Sequence, residues 1–463
     1  TFDIKNDAGA DIPIFELNSA SIYMSGPTAN YQPVLDRERD LRDFSVDNGD
    51  GTYTYNWQLP IPATYLPGFN DTPAIGPEDG DWNGMPLVDG TYTFGIEVYK
   101  SYDVEGSSTR DPAFASMDVL FGNAAVIEPR EVVTTANCNS CHVELRFHGG
   151  FRREVLQCLL CHTAGAEDAN DPNILNGTPG VTVDFGPLIH RIHIGAYLPS
   201  NLGISTNPNG SRNYSGGVVA NQIVRGTRIY DYSEIYFPVW PSLDYPMPRD
   251  AGYSALNSTE QAQENAQRQG IVACHKCHGD PDGSGPLPAP AQGDNAYSHP
   301  TRKDCGSCHD DWDPALLYSA NNTGMPPQPD NNSCLFCHPA DGGALPSRAL
   351  HKHPLVDEAV HQDFQFVVTS IAEAGTNDGS GTFEAGEKMQ VTFELKTVVG
   401  NMDVPAANLN RIEFSIAGPV HNRQMLHTAR VDIGSLGAGP SYTINVPYDY
   451  ENQFLGDSTG ALG

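Results

Sequence analysis

The chain contains five copies of the pattern C-x-x-C-H, and these copies use all ten of its cysteines. Each thiol of such a pair can form a thioether bond to a haem vinyl group, and the histidine that follows can then ligate the iron from the proximal side. The predicted attachment pairs are Cys138–Cys141, Cys158–Cys161, Cys274–Cys277, Cys305–Cys308 and Cys334–Cys337, and the predicted proximal ligands are His142, His162, His278, His309 and His338.

Other uses of paired cysteines explain this pattern less well. Structural zinc sites do not need a histidine after each pair, and disulfides have no reason to repeat one spacing. A thioredoxin-like motif occurs once, beside a βαβ unit. With 15 histidines in 463 residues, five chance matches have a probability on the order of 10^-8. The pattern therefore predicts five covalently attached haem c groups.

The remaining histidines are numerous enough to give every iron a second imidazole. Eight of them lie among or just after the five motifs, whereas His421 and His427 lie in a downstream region that resembles strands. A helix is predicted after Pro187, and it would carry two histidines three residues apart among apolar neighbours, where a buried partner is needed. The predicted distal ligands are His148, His190, His193 and His299, with His353 or His351 as the fifth.

The overall charge limits the class of partner. The net charge is -31, with 46 glycines and 36 prolines, which indicates a loop-rich globular protein. A nucleic-acid partner is excluded because its phosphates require a basic surface. No apolar run approaches the length of a membrane span.

The regions on both sides of the motifs alternate apolar and polar residues as strands do. Examples are "GTYTFGIEVY" in the first region and "MQVTFELKTV" in the second. The predicted fold is therefore two mostly β flanking domains, each a split barrel or sandwich, around a loop-rich, sparsely helical pentahaem domain. The predicted domains are residues 1–129, 130–358 and 359–463.

The two β regions also resemble each other. "TFDIKNDAGADIPIFELNSASIYMSGPTANYQ" from Thr1 aligns with "TFELKTVVGNMDVPAANLNRIEFSIAGPVHNRQ" from Thr392, which indicates an internal repeat. Relative to each other, the first copy lacks its N-terminal strands and the second lacks its C-terminal strands. We expect either a segment of a longer, decahaem chain or a complete subunit whose neighbours exchange strands in a filament.

The spacing of the motifs resembles a known family. "CNSCHVELRFHGGFRREVLQCLLCH", "LIHRIHIGAY" and "HPTRKDCGSCHDDWD" are similar to the pentahaem module of the OmcA/MtrC-type outer-membrane decahaem cytochromes. The resemblance implies closely stacked bis-histidine haems at the cell surface. It also implies partners: an outer-membrane porin–cytochrome conduit or other cytochromes as donors, and metal oxides, soluble metals or flavins as acceptors.

Two weaker signals concern a cation and a helix. "EAGTNDGSGTFEAGE" resembles an acidic calcium loop, although an ordinary polar turn is the alternative. A helix is predicted from Ser258 to Gly270, with Ser258 and Gln261 as its capping box. The predicted calcium ligands are Asp378, Ser380, Glu384 and Glu387.

These patterns predict an electron carrier rather than an enzyme, because an iron with two imidazoles has no open position for substrate. The expected function is conduction of electrons in extracellular respiration. The alternatives are a subunit of a polymeric cytochrome filament and a multihaem reductase with one open haem. Haem attachment takes place after export, so we expect the outer-membrane surface or extracellular space, with the periplasm as the alternative.

Overall fold

The computed structural model divides the chain into two compact units, Thr1–His353 and Pro354–Gly463. None of the described helices is both long and apolar enough to cross a membrane. The structure describes residues 1–39, 41–71, 75–168, 181–236, 252–269, 274–279, 289–319, 324–351, 364–383, 387–397, 401–418 and 424–446.

The first unit begins with two antiparallel sheets. The larger sheet has the order β3-β2-β6-β7, and the smaller has the order β1-β5-β4. Glu105 and Gly106 join β6 to β7 with φ angles of 52° and 80°, which suits a two-residue hairpin turn. The elements are β1 (Phe2–Asp3), β2 (Ser19–Gly26), β3 (Gln32–Glu38), α1 (Leu41–Phe44), β4 (Val46–Asp47), β5 (Thr52–Thr54), β6 (Gly90–Val104) and β7 (Ser107–Phe121).

An apolar core lies between these two sheets. Ala20 of β2 and Val98 of β6 belong to the same buried cluster as Tyr53 of the smaller sheet. Ala20 and Ile22 of β2, and Ile96 and Val98 of β6, face this core at the two-residue spacing of a strand. The opposite face of the sheet is buried as well, at Tyr23 and Glu97. The described strands form open sheets that pack face to face, so the sandwich alternative of the predicted fold is the one observed, and no closed barrel is present among them.

The five motifs lie in a region of short helices and hairpins. Helix α4 begins at Phe185, so Pro187 occupies its first turn, where the missing N–H costs nothing. The elements are α2 (Thr135–His142), α3 (Val155–Leu159), α4 (Phe185–Ile194), β8 (Ser205–Thr206), β9 (Arg212–Asn213), β10 (Gln222–Arg225), β11 (Arg228–Asp231), α5 (Ser258–Gln269), α6 (Cys274–His278), α7 (Asn295–Ser298), α8 (Arg302–Gly306), α9 (Cys334–Cys337) and α10 (Ser347–Leu350).

The second unit is a smaller sandwich. Its sheets have the orders β12-β13-β16 and β14-β15. Phe393 and Leu395 of β13 are fully buried, and they belong to one cluster with Ile412 of β14 and Tyr442 of β16. The strands are β12 (Phe364–Ala374), β13 (Lys388–Thr397), β14 (Ile412–Gly418), β15 (Gln424–Val431) and β16 (Ser441–Asn445).

The two β regions share local structure at aligned positions. Phe2 pairs with Tyr53 in the first region, and the aligned residues Phe393 and Tyr442 pair in the second. Each tyrosine hydroxyl accepts a backbone N–H from a short 3-10 helix, at 3.2 Å in the first region and 2.8 Å in the second. Both regions therefore use the same strand register and the same buried tyrosine.

A buried carboxylate connects the larger N-terminal sheet to the second haem-attachment motif. Glu97 of β6 is 2% exposed. It accepts hydrogen bonds from Arg152 at 3.1 and 3.2 Å and from Gln157 at 2.8 Å, and it forms an ion pair with Arg37. Burial raises the pKa of Glu97, but the two arginines outweigh that effect and hold the pKa below its usual value of 4.5. The charged form of Glu97 therefore stabilises this junction.

We expect Glu97→Gln to lower the free energy of unfolding by about 1.5–3 kcal/mol at pH 7, because it weakens charge-assisted hydrogen bonds. A lowered pKa contributes stability above the unfolded value, and the contribution is lost as pH falls through the folded pKa. The difference from the wild type should therefore shrink below pH 4.5. Denaturant titrations at several pH values measure this. Glu16→Gln, which breaks the exposed pair with Lys100, is the control and should cost no more than about 1 kcal/mol.

Candidate functional site

The five motifs adopt a common local geometry on short helical turns. The backbone N–H of the motif histidine donates to the carbonyl of the first cysteine, four residues earlier, at 2.8 Å for His162, 2.9 Å for His309 and 2.8 Å for His338. A helical turn places residues three apart on one side, so both thiols of a motif face the same way. All ten cysteines are free of disulfides. The thiols are thus available for attachment to a haem edge.

Four motif histidines face a second histidine. Two imidazoles on opposite sides of one metal ion have ring centres about 6 Å apart, given metal–nitrogen bonds of about 2 Å and roughly 1 Å from each nitrogen to the ring centre. The observed separations fit this value. The pairs are His142–His193 at 6.0 Å, His148–His162 at 5.9 Å, His190–His278 at 6.2 Å and His309–His351 at 6.3 Å.

Hydrogen bonds show which nitrogen of several imidazoles carries the proton. The Nδ1 atoms of His162 and His193 lie 2.8 Å from backbone carbonyl oxygens, and that of His351 lies 2.7 Å from one. A carbonyl only accepts, so Nδ1 carries the proton and Nε2 keeps its lone pair. This is the arrangement that supports metal-ligating histidines. In this arrangement Nε2 of each ring is the nitrogen whose lone pair could bind a metal.

Burial keeps these imidazoles neutral, which is the form that ligates a metal. It lowers the pKa of His148 and of His278 to about 4. Burial is also the main cause that lowers the pKa values of His162, His190, His193 and His351.

His148 reaches its partner through a tight turn. Its φ angle is 52°, and Gly149 and Gly150 follow with φ angles of 84° and 88°. Glycine adopts this region without strain, so the pair of glycines lets the chain reverse directly after the histidine. As a result His148 faces His162 of the second motif, although it lies six residues after the first motif.

The partner of the fifth motif histidine, His338, is not among the described ring pairs. Of the predicted distal ligands, His353 lies outside the described residues, and His299 is exposed with Nδ1 2.9 Å from Ser298 Oγ. Ser347 links the segment that precedes His299 to the segment that follows His338. Its hydroxyl donates to the carbonyl of Tyr297 and its N–H donates to the carbonyl of Pro339, both at 2.8 Å. His299 and His353 therefore remain the candidates for His338, since His351 faces His309.

The acidic loop of the second unit brings three carboxylates together. Single oxygen atoms of Glu373, Asp378 and Glu387 all lie within 4.8 Å of one another. Glu373, near the end of β12, was not among the predicted calcium ligands. The backbone N–H of Ser380 donates to Asp378 at 2.9 Å, and its hydroxyl to Glu373 at 3.3 Å. Glu384 lies outside the described residues, and calcium binding here stays a prediction.

Comparisons with known proteins show similarity to multihaem cytochromes. Residues 130–352 match the family model described as outer membrane cytochrome MtrC/MtrF-like, domains II/IV. The multiheme cytochrome MtrC of Shewanella baltica (strain OS185) is 27% identical over 150 residues, which are 32% of this chain and 19% of that protein. The crystal structure of the outer membrane decaheme cytochrome OmcA has a TM-score of 0.44 and 16% identity, over 96% of this chain and 60% of that chain.

The chain thus covers only part of the length of both relatives. The family match spans all five motifs and every facing histidine described above. Residues 130–352 thus resemble the MtrC/MtrF-type outer-membrane multihaem cytochromes.

Proposed function

We propose that the protein conducts electrons through five covalently attached haem c groups during extracellular respiration. The similarity of residues 130–352 to multihaem cytochromes supports covalent haem and electron transfer. The observation that carries the proposal further is the set of four facing imidazole pairs, because an iron between two imidazoles exchanges electrons without binding substrate. The haem groups supply the redox chemistry, and the chain holds and insulates them.

We assign proximal ligation to His142, His162, His278, His309 and His338. The distal ligands would be His193 opposite His142, His148 opposite His162, His190 opposite His278, and His351 opposite His309. As the distal ligand opposite His338 we assign His299, because Ser347 is hydrogen-bonded both to Tyr297, near His299, and to Pro339, next to His338. His353 is the alternative for that position.

Contacts between motifs support a continuous path in the order second, first, third, fourth, fifth. Thr135, on the helix of the first motif, donates its hydroxyl to Glu154 at 2.8 Å and accepts the backbone N–H of Val155 at 3.0 Å, so the second motif lies near the first. Asn137 of the first motif's helix donates to the carbonyl of Cys277 in the third, at 2.9 Å. His193 and His190, on one helix, serve the first and third motifs.

The path continues through the fourth motif to the fifth. Ser307 Oγ in the fourth motif lies 3.3 Å from Nδ1 of His190, which faces His278 of the third motif. The backbone N–H of Arg302, on the helix of the fourth motif, donates to the side chain of Asn331, three residues before Cys334 of the fifth motif, at 2.7 Å. The second and fifth motifs would therefore carry the terminal haems, where electrons enter and leave.

The proposed setting is the outer-membrane surface, with the periplasm as the alternative. A porin–cytochrome conduit or another cytochrome would donate electrons, and metal oxides, soluble metals or flavins would accept them. The net charge of -31 suits cationic metal species as acceptors. Rapid mixing of the reduced protein with a ferric chelate, and separately with an oxidised flavin, tests this step. Slow oxidation by both would contradict it.

We expect the mature protein to carry five haems that are all low-spin in the ferric state. Intact mass gives the number of haems, and optical and paramagnetic resonance spectra give the spin state. A high-spin fraction would favour the reductase alternative, and His338 is the position where an open iron would then be sought. Fewer than five covalent haems would contradict the proposed attachment sites.

A further inference from the structure

Ser307 occupies an unusual position between two haem sites. It lies inside the fourth attachment motif, between Cys305 and Cys308, and is 2% exposed. Its Oγ atom is 3.3 Å from Nδ1 of His190. That histidine faces His278 of the third motif, not the histidine of the fourth. One side chain of the fourth motif therefore touches a proposed ligand of the third haem.

The direction of this hydrogen bond follows from a second contact. Ser307 Oγ lies 2.5 Å from the backbone carbonyl oxygen of Asp304. A carbonyl only accepts, so the hydroxyl proton is directed to Asp304, and the Oγ lone pairs remain for His190. His190 Nδ1–H is then the donor, which leaves Nε2 of His190 as the atom that faces His278. Donation to Asp304 also polarises the hydroxyl and makes its oxygen a better acceptor.

The hydrogen bonds at this pair are longer than at other described pairs. His162, His193 and His351 have Nδ1 within 2.7–2.8 Å of a carbonyl oxygen. For His278 the corresponding distance, to the carbonyl of Val132, is 3.3 Å, and His190 has a hydroxyl rather than a carbonyl. Hydrogen bonds from Nδ1 raise the basicity of a ligating imidazole, and a more basic ligand stabilises the ferric state.

We infer that Ser307 is a positioning residue that orients His190 and, by accepting its Nδ1–H, lowers the reduction potential of the haem between His190 and His278. This inference rests on the proposed haem ligation. In the proposed path this haem is the central one, so its potential governs passage in both directions. A side chain of the fourth motif would thereby lower the reduction potential of the haem that is attached to the third motif.

The experiment compares Ser307→Ala with a matched serine. Ser140 has the same place in the first motif, and its hydroxyl donates to the carbonyl of Asn137 at 2.7 Å, but it is exposed. Spectroelectrochemical titration of the holoprotein should show one haem of Ser307→Ala with a raised potential. The expected change in its oxidation equilibrium constant is about threefold to tenfold, tenfold being about 59 mV for one electron. Ser140→Ala should leave all five potentials unchanged.

Two further variants decide between explanations. His190→Met identifies the haem concerned, because it should shift the same spectral component as Ser307→Ala, and Ser307→Thr should retain the wild-type potential since it keeps the hydroxyl. If Ser307→Ala folds poorly, Ser307→Gly carries the same test. Unchanged potentials in a loaded Ser307 variant that lacks the hydroxyl, or a shift in a different haem from His190→Met, would overturn the inference alone. No altered haem in His190→Met would instead refute the proposed ligation.

Discussion

Replacing His193 by methionine is expected to raise the reduction potential of one haem by on the order of 0.1 V, within the roughly 0.8 V range that axial ligands span. His193 lies on α4 with its ring 6.0 Å from that of His142, and the rings are nearly perpendicular at 87°. Methionine reaches as far as histidine and ligates haem iron, but a thioether donates less charge than an imidazole, which favours the ferrous state. Spectroelectrochemical titration measures the shift, and the iron should stay low-spin.

The same variant tests whether neighbouring ligands act independently. His190 lies one helical turn earlier on α4, so its haem should keep its potential within a few tens of millivolts if only the ligand of His193 has changed. His275→Gln is the control, because His275 is buried inside the third motif but is not assigned to an iron. Unchanged potentials in His193→Met, or the same shift in His275→Gln, would contradict the assignment of His193.

The sequence predicted the features that depend on neighbouring residues. The C-x-x-C-H motifs are local in this sense, because attachment and proximal ligation involve five consecutive residues. The helix that carries His190 and His193 was also predicted, from apolar spacing and Pro187, although it begins at Phe185. Capping of α5 was displaced by one residue: Asn257 and Glu260 form the reciprocal pair, instead of Ser258 and Gln261.

Features that depend on distant residues were not predictable in this way. His148 follows the first motif by six residues and was predicted as a distal ligand without assignment to a motif, and the chain reversal at two glycines brings it to His162 of the second. Strand β7 had no clear sequence signal because Pro112 and several charged residues interrupt its pattern. It forms as the edge strand along β6, where one side of the backbone has no strand neighbour, so Pro112 is tolerated.

The pairing of His351 with His309 is a further contact that the sequence does not predict. From the sequence, His353 and His351 were both candidates for the fifth distal position, and neither could be assigned to a motif. Helix α10 directs His351 toward His309, and the carbonyl of Ser347 orients its ring. His351 faces His309 because of where α10 ends, and its spacing from a cysteine does not indicate this.

Replacing Arg212 by methionine is expected to lower the free energy of unfolding by about 3–5 kcal/mol, because it leaves two buried carboxylates without their cation. Arg212 of β9 is paired with Glu264 of α5 at 2.5 Å and with Asp311, two residues after the fourth motif, at 2.7 Å. The side chains of the two acids are 1% and 0% exposed. The interaction with both acids outweighs burial and raises the pKa of Arg212. Denaturant titration of the holoprotein measures the loss.

The matched control is an exposed arginine in the same unit. Arg146 is 59% exposed and pairs with Glu144 at 2.6 Å, so Arg146→Met should change stability by no more than about 1 kcal/mol. Because Asp311 follows the fourth motif closely, Arg212→Met should also broaden the redox transition of the haem on His309 before it affects the haem on His162, which lies at the other end of the proposed path. An equal loss of unfolding free energy in both variants would show that removal of a positive charge, and not its burial, causes the loss. A loss confined to Arg212→Met would show that the buried network holds the fourth motif in place.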